Sequence, residues 1–552
     1  MTTSKEIITL QLGHYSNYIG THLWNTQEAY FSATEDGGAS SEIDHNVMFR
    51  TLETRHGESY EPRVVIFDLQ GSFGALKKGG EIGEAHNLAD TWTGNVETFK
   101  QEEHPHNAFI KFQNDYATSV ASSSSSSPSQ GKQQQQPQHP IPPPSFSDIL
   151  ESSVRVWSDY SKLSYHPKSI VQVPNYTHEN PTTPFALYGA GRDVLSDVEF
   201  RDEVIDDRIR SFLEDCDSLQ GFQVLTDVNN AFGGLTTSIM EALLDDMPKT
   251  TFMTFGVSET KDPVVGNLQD YQKRMFENVN QIQCLRYLKD TSSIYIPVSS
   301  PLQSELDPNG WSRYLNPKFN LRYHSSAYLA SLIETATLPF RTFTNPLYIY
   351  EAAPMVSSNQ STKIAAICGS LPLRQIHDDA TLRKLLSYNP MPGFKFNWFR
   401  DVTLRVGYEQ VEHENGSYTV LRGVGCDLQG QARSKIPSML HQQEALNDFA
   451  ASFPTFAGQS RSIVVNEGLP ISDAFPQLFG SDHIAKQESM LVRIRTPARI
   501  KETLQEVIQQ LKTLPKRVAM PLERITSGSS MEDMMEIRED LEQTMLVYNE
   551  IE

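Results

Sequence analysis

Residues 229–244 read NNAFGGLTTSIMEALL. Gly233 and Gly234 stand between a strand-like run, GFQVLTD, and a helix-like one, with Thr236, Thr237 and Ser238 directly behind them. These residue types suit anion chemistry. Glycines let backbone N–H groups come close to a phosphate, hydroxyls add donors, and a helix amino terminus supplies a positive pole. Other chemistry finds less support. No HExxH, GxSxG or P-loop motif occurs. His104 and His106 read as a surface cluster, and Asp378 and Asp379 beside His377 lack a convergent third group. Cys216, Cys284, Cys368 and Cys426 lie far apart without CxxC spacing. That pattern points to thiols in a reducing compartment and away from a disulfide framework or a zinc site.

The glycine pair needs elements to hold it, and the chain supplies them in alternation. Ile7, Ile8, Leu10 and Leu12 predict a central strand, Gly13 a break, and Ile19, Leu23 and Gln27 a following helix. Val64–Phe67 is a continuous apolar run, as expected of a strand covered on both faces. Asp68 ends it, and Gly71 and Gly74 loosen the next loop. In open parallel sheets ligands bind outside the carboxyl ends of strands, so this loop is expected near the Gly13 loop. FALYGAGRDVL predicts a short strand and a glycine turn. Val204, Ile205, Ile209, Phe212 and Leu213 share one helical face. Pro248 stops the helix that begins at the glycine pair. Alternating strands and helices imply a mostly parallel α/β sheet.

Residues 117–146 differ in kind. Their Ser, Gln and Pro tracts cannot bury enough apolar surface to offset the entropy of ordering, and they read as a disordered insertion. Beyond residue 300 the signals mix: a helix in SSAYLASLIETATLPF, strands in LYIYEAA and KIAAICGSLP, and strands flanking ENGS as a hairpin turn. Ile500, Leu504, Val507, Leu511 and Leu514 recur at coiled-coil-like spacing, and Ser530 with Asp533 predicts a cap before a last helix. The 552 residues carry a net charge of −21, which opposes general binding to nucleic acid. Val492–Ala519 is locally basic and reads as a solvated helix face, with an anionic membrane or acidic partner as the alternative. The opening MTTSKEIITLQLG has no secretory apolar region and reads as a first strand.

In order, EIITLQLGHYSNYIGTHLWN, VVIFDLQGS, CDSLQGFQ and FGGLTTSIMEALL resemble the first strand and loop, the second loop, and the phosphate-loop region of tubulin. GHYSNYIGTHLWN, with an insertion before the second of these blocks, resembles the Misato family of tubulin-like proteins. The resemblance implies nucleotide contacts at Gly13, His14, Tyr15, Gln70, Gly233, Gly234, Thr236, Thr237 and Ser238 if such contacts are retained. It also exposes departures. Leu235 and Ile239 replace glycines of tubulin's GGGTGSG, Gln70 replaces the acid of its DLE, and His14, Tyr15 and Tyr18 replace Gln, Cys and Gln of its GQCGNQ. Tyr287 falls where tubulin has a base-contacting Asn, and Glu334 is the acid nearest the absent GDLNHLV loop. Charged hydrogen bonds contribute about 1.5–3 kcal/mol each, so losing two or three, plus a magnesium ligand, removes several kcal/mol and weakens binding by roughly two to five decades.

The expected architecture is therefore a tubulin/FtsZ-like α/β protein: a mostly parallel sheet domain of nucleotide-binding type, then an α+β second domain and C-terminal helices. The expected segments are 4–116, the insertion 117–146, 147–300, 301–490 and 491–552. What the resemblance implies for function is a non-catalytic protein of mitochondrial distribution and morphology, and of microtubule or spindle assembly. Tubulin or the cytosolic chaperonin would be its partners. No metal, catalytic residue or resident cofactor is expected, GTP being the one candidate. The cytoplasm and the face of the mitochondrial outer membrane are the expected locations. A GTP-binding assembly protein and a peripheral membrane adaptor are the alternatives.

Overall fold

A computed structural model describes residues 5–35, 42–54, 57–74, 76, 108–113, 146–260, 268–357, 362–374, 376, 378–386, 396–403, 407–408, 413–426, 436–453, 455–480, 486–517 and 531–551. The insertion 117–145, His104–His106, His377 and Ser530 lie outside the described residues.

The first sheet has six parallel strands: β1 (Glu6–Leu12), β2 (Val64–Gln70), β3 (Ile170–Thr177), β4 (Leu219–Asp227), β5 (Phe252–Ser258) and β6 (Ile294–Ser299). Their spatial order is β3-β2-β1-β4-β5-β6, the doubly wound order that reverses between β1 and β4. Both faces are covered, so the strands need no polar side. Ile7 of β1 and Val64 and Ile66 of β2 face a core shared with α1 (His14–Glu35). Ile8, Leu10, Leu12, Val65 and Phe67 face the core beneath α2 (Phe232–Asp246) and α3 (Leu268–Thr291). Leu12 pairs with Phe67 on one side and with Thr226 on the other. This register sets the next residue of each strand, Gly13, Asp68 and Asp227, at one level on the carboxyl edge.

Helix α4 (Arg322–Thr337) is buried from Tyr323 to Thr337 and runs between the first sheet and a second, mixed one. The second sheet comprises β7 (Ala366–Ser370), β8 (Phe396–Asp401), β9 (Gly407–Tyr408), β10 (Glu414–Arg422), β11 (Thr455–Val465) and β12 (Met490–Pro497), in the order β9-β8-β7-β12-β10-β11. Only β10 and β11 pair in parallel. The helix Met439–Ala451 connects them, as a parallel crossover requires. Helices α5 (Ile500–Arg517) and α6 (Met531–Asn549) then pack back on the first domain. Ile500, Leu504, Ile508, Leu511, Leu541 and Tyr548 join the core on the α2 and α3 face, and Val507 packs against it, so the heptad-like stripe is core from Ile500 to Leu511. The fold is thus a tubulin-like parallel-sheet domain, a second mixed-sheet domain and C-terminal helices, as expected.

Four local expectations fail. Residues 185–195 hold a helix, Tyr188–Val194, where a strand and turn were expected. Gly191 serves close packing there, since a Cβ on it would overlap the Ala231 carbonyl. LYIYEAA is the start of the helix Ile349–Val356, whose Ile349, Ala352, Ala353 and Val356 recur at helical spacing on its buried side. ENGS is no hairpin turn but the first part of β10. Gly416 lies against the Met355 carbonyl, Asn415 donates to Thr362 Oγ1 at 2.7 Å, and Arg493 binds Glu414 at 2.6 Å. The same Arg493, with Arg495, corrects the reading of Val492–Ala519 as one solvated helix face. Both arginines are buried in β12, where Arg495 pairs with Asp401 at 2.9 Å. Among the described residues no helix is long and apolar enough to cross a membrane.

Candidate functional site

The crevice where strand order reverses collects the predicted residues of the first half of the chain. Gly13 ends β1 with φ +112°, a left-handed conformation suited to glycine, and α1 starts at once at His14. A Cβ on Gly13 would overlap the Asp227 carboxyl group. Asp227 accepts from the Ser16 amide and hydroxyl, both at 2.7 Å, from the Tyr15 amide at 3.2 Å and from Asn230 Nδ2 at 3.3 Å. Burial pushes its carboxyl up to about 6, and these donors oppose that rise. Asp68 is equally enclosed. It accepts from Trp157 Nε1 at 2.8 Å, Asn17 Nδ2 at 3.0 Å and the Leu69 amide at 2.8 Å, and it pairs with His14 Nδ1 at 3.3 Å. Burial would raise its pKa, but the His14 charge and these hydrogen bonds hold it below the usual carboxylate value.

The other predicted residues are placed as follows. The His14 ring lies 4.1 Å from that of His178, and the Tyr15 hydroxyl donates to Ser325 Oγ at 2.8 Å. Gln70 is exposed at the tip of β2, where its carbonyl accepts from the His178 amide at 2.8 Å. Gly233 and Gly234 belong to the first turn of α2. A Cβ on Gly233 would overlap the Cys284 thiol, and one on Gly234 the Tyr188 carbonyl oxygen. Three of the first four α2 amides are engaged: Phe232 donates to Asn230 Oδ1 at 3.0 Å, and Gly234 and Leu235 to the Ala231 carbonyl. Thr236 Oγ1 bonds the Phe232 carbonyl and Thr226 Oγ1, and Thr237 Oγ1 bonds the Gly233 carbonyl and receives the Tyr188 hydroxyl. Ser238 is half-buried one residue further along α2. Tyr287 stacks on Tyr188, with ring centroids 5.7 Å apart. Glu334 is remote from the crevice in chemistry as well as register, being bound by Arg341, Arg422 and Tyr30.

The sequence reading missed Asp227 and Asn280. Asn280, on α3, accepts from the Tyr188 amide and donates to the Ala186 and Asn229 carbonyls, tying the glycine loop to its neighbours. It also missed Arg322, whose guanidinium forms a two-pronged pair with Glu259 at 2.8 and 3.1 Å beside the crevice. The signal for Asp227 was present: GFQVLTD, like VVIFD, ends a buried strand on an acid. Three of the first four α2 amides and the Tyr15 and Ser16 amides are thus engaged by the chain, and the Asp68 and Asp227 carboxylates flank Gly13. Among the described residues, no group of three or more His, Cys, Asp or Glu is placed to hold a metal ion.

Comparison with known proteins agrees with this architecture. Residues 5–115 match a family model described as the Misato Segment II tubulin-like domain, and residues 146–342 one described as a tubulin domain. Protein misato homolog 1 of Homo sapiens is 32% identical over 365 residues, covering 64% of this chain and 63% of that protein. Protein DML1 of Gibberella zeae is 34% identical over 341 residues, or 61% of each chain. Protein misato homolog 1 of Danio rerio is 27% identical over 507 residues, covering 86% of this chain and 82% of its own length. Matches of the first two kinds thus span less than two thirds of the relatives' length. Sheet order, central helix and second sheet define a tubulin-like protein. With segment II and these relatives in view, the chain belongs to the Misato family of that class.

Proposed function

We propose that this chain is a non-catalytic tubulin-like protein that works by docking partners. Its role is in mitochondrial distribution and morphology and, through tubulin or the cytosolic chaperonin, in microtubule or spindle assembly. One observation carries the non-catalytic half: Gly233 and Gly234, in register with the tubulin phosphate loop, lie against the Cys284 thiol and the Tyr188 carbonyl. Two neighbouring helices thus give these glycines a packing role that needs no phosphate. The Misato resemblance supports the cellular half, with the protein in the cytoplasm and peripherally at the mitochondrial outer membrane. The fold is consistent with chaperonin dependence. Strands β1 and β4 are adjacent in space yet separated by more than 200 residues of sequence, and such long-range parallel pairing forms slowly.

Titrating the full chain with labelled GTP, with and without magnesium, tests the first half. No saturable micromolar binding is expected. Micromolar, magnesium-dependent binding would overturn the reading in favour of a GTP-dependent assembly protein. Affinity capture with the full chain, scored against tubulin, chaperonin subunits and outer-membrane proteins, tests the second half. Enrichment of none of the three over a fold-disrupted control removes it.

A further inference from the structure

A doubly wound sheet offers an anion its best seat where strand order reverses, at the amino end of the helix that leaves the first strand. In this chain that seat is taken. Asp227 is 4% exposed, and its carboxylate receives the second and third α1 amides, those of Tyr15 and Ser16, together with the Ser16 hydroxyl. Asn230, three residues on, donates to the same group. Gly13 leaves the space that the carboxyl fills. The arrangement is that of an oxyanion on a helix terminus, with the anion supplied by the end of β4. Next to it His14, the first residue of α1, is 8% exposed, and its Nε2 has no hydrogen-bond partner among the described residues.

We infer that Asp227 is a built-in ligand: its carboxylate takes the place of a phosphate at the amino end of α1 and frees the fold from dependence on bound nucleotide. This deepens the nucleotide-free reading above and rests on it. A bound nucleotide would be a cofactor that the folded state gains by mass action and loses on dilution. A tethered carboxylate is present at every concentration. Near neutral pH it is an anion, even though burial pushes its pKa up to about 6.

The test follows from what removal leaves behind. In Asp227→Ala the Tyr15 amide, the Ser16 amide and the Ser16 hydroxyl face a space of oxyanion character with no acceptor. Inorganic phosphate can supply one. Asp227→Asn fills the same space without charge and leaves no room for phosphate. Full-length wild type, D227A and D227N are melted at neutral pH in chloride and in inorganic phosphate at matched ionic strength. Phosphate strengthens burial in every protein, so the quantity read is the extra shift of each variant over wild type. D227A is expected to melt below wild type in chloride and to recover at least about 2 °C more than wild type does in phosphate. D227N is expected to show no extra shift. Equal shifts in wild type and D227A overturn the inference, as does an equal gain by D227N. Where D227A does not fold in chloride, its refolding yield in the two salts is compared, and no gain in phosphate overturns the inference equally. The two readings fail separately. Micromolar GTP binding by wild type sinks the proposed function, whereas a nucleotide-silent wild type with a phosphate-blind D227A sinks only the built-in ligand.

Discussion

Replacing Gly234 by Ala separates a glycine that seats a helix from one that seats a phosphate. The new Cβ meets the Tyr188 carbonyl group head on, with the Arg192 amide 3.2 Å away. Neither is the far end of a flexible side chain, so the helix Tyr188–Val194 and α2 must separate by roughly 1.5 Å to restore ordinary contact. Overpacking of this kind costs about 1–3 kcal/mol, and rigid backbone on both sides points to the upper end. Alanine's better helix propensity returns about 1 kcal/mol. Separation also stretches the 2.9 Å bond from the Tyr188 hydroxyl to Thr237 Oγ1. The net expectation is a loss of about 2 kcal/mol. Among the described residues nothing lies within 4 Å of an ideal Cβ on Gly480, which makes Gly480→Ala the matched control, expected to change little. Thermal melts of the full chain give the size of the effect, and hydrogen exchange over 188–194 gives its location. The loss should be the same with and without GTP and magnesium. A variant as stable as wild type, or one destabilised only when nucleotide is present, refutes the packing argument.

Glu334→Gln should lower stability by about 3–5 kcal/mol, read by denaturation, because it strands the buried guanidiniums of Arg341 and Arg422. Burial favours the neutral Glu334 acid, but Arg422 and Arg341 together hold its pKa below the ordinary glutamate value. Its contribution is therefore present above that ordinary value and lost as pH falls through the folded one, and the mutant's melting temperature should depend less on acid than wild type's. Asp227 has the opposite sign: its folded pKa near 6 lies above the ordinary value, so it favours folding at low pH and loses that contribution as pH rises from about 4 to 6. Relative to wild type, Asp227→Asn should gain up to about 3 kcal/mol over that range, and parallel stability curves would count against the assignment. Arg493→Glu should disrupt the second sheet, with a loss of at least about 3 kcal/mol, since Arg493 is fully buried against Glu414, Ser417 and Thr419. Lys512→Glu, at an exposed residue paired with Glu542, should change stability by less than about 1 kcal/mol. Membrane flotation is informative only with charge changes of the second kind.

What the sequence disclosed was local. Strands β1 and β2, the break at Gly13, the start of α2 and the apolar stripe of α5 all follow from periodicity and glycine placement within a dozen residues. What it hid depends on partners far along the chain. The helix at Ile349–Val356 begins with aromatic and β-branched residues that suit a strand. Its helical state shows in the i, i+3, i+4, i+7 series that packs inward, and in the Tyr348 amide that donates to Glu351 Oε2 at 3.3 Å. ENGS has the composition of a turn because Glu, Asn, Gly and Ser usually need water. Here Arg493 and Thr362 satisfy the first two, and the Met355 carbonyl needs the third to be bare.

The candidate site divides along the same line. A glycine pair before a helix can be required by a ligand or by another helix, and the residues that decide, Tyr188 and Cys284, are about 50 positions away on either side. Asp227 is the sharper case. The sequence shows an acid ending a strand; that the acid caps α1 depends on a residue 211 positions earlier in the chain. Register then fixes the outcome. With Leu12 opposite both Phe67 and Thr226, the next step along each strand brings two carboxylates to the flanks of Gly13. A shift of one residue would turn either acid to the opposite face of the sheet. The chemistry of the crevice is thus set by strand pairing, and a chain can keep every tubulin-like element while exchanging a ligand for one of its own side chains.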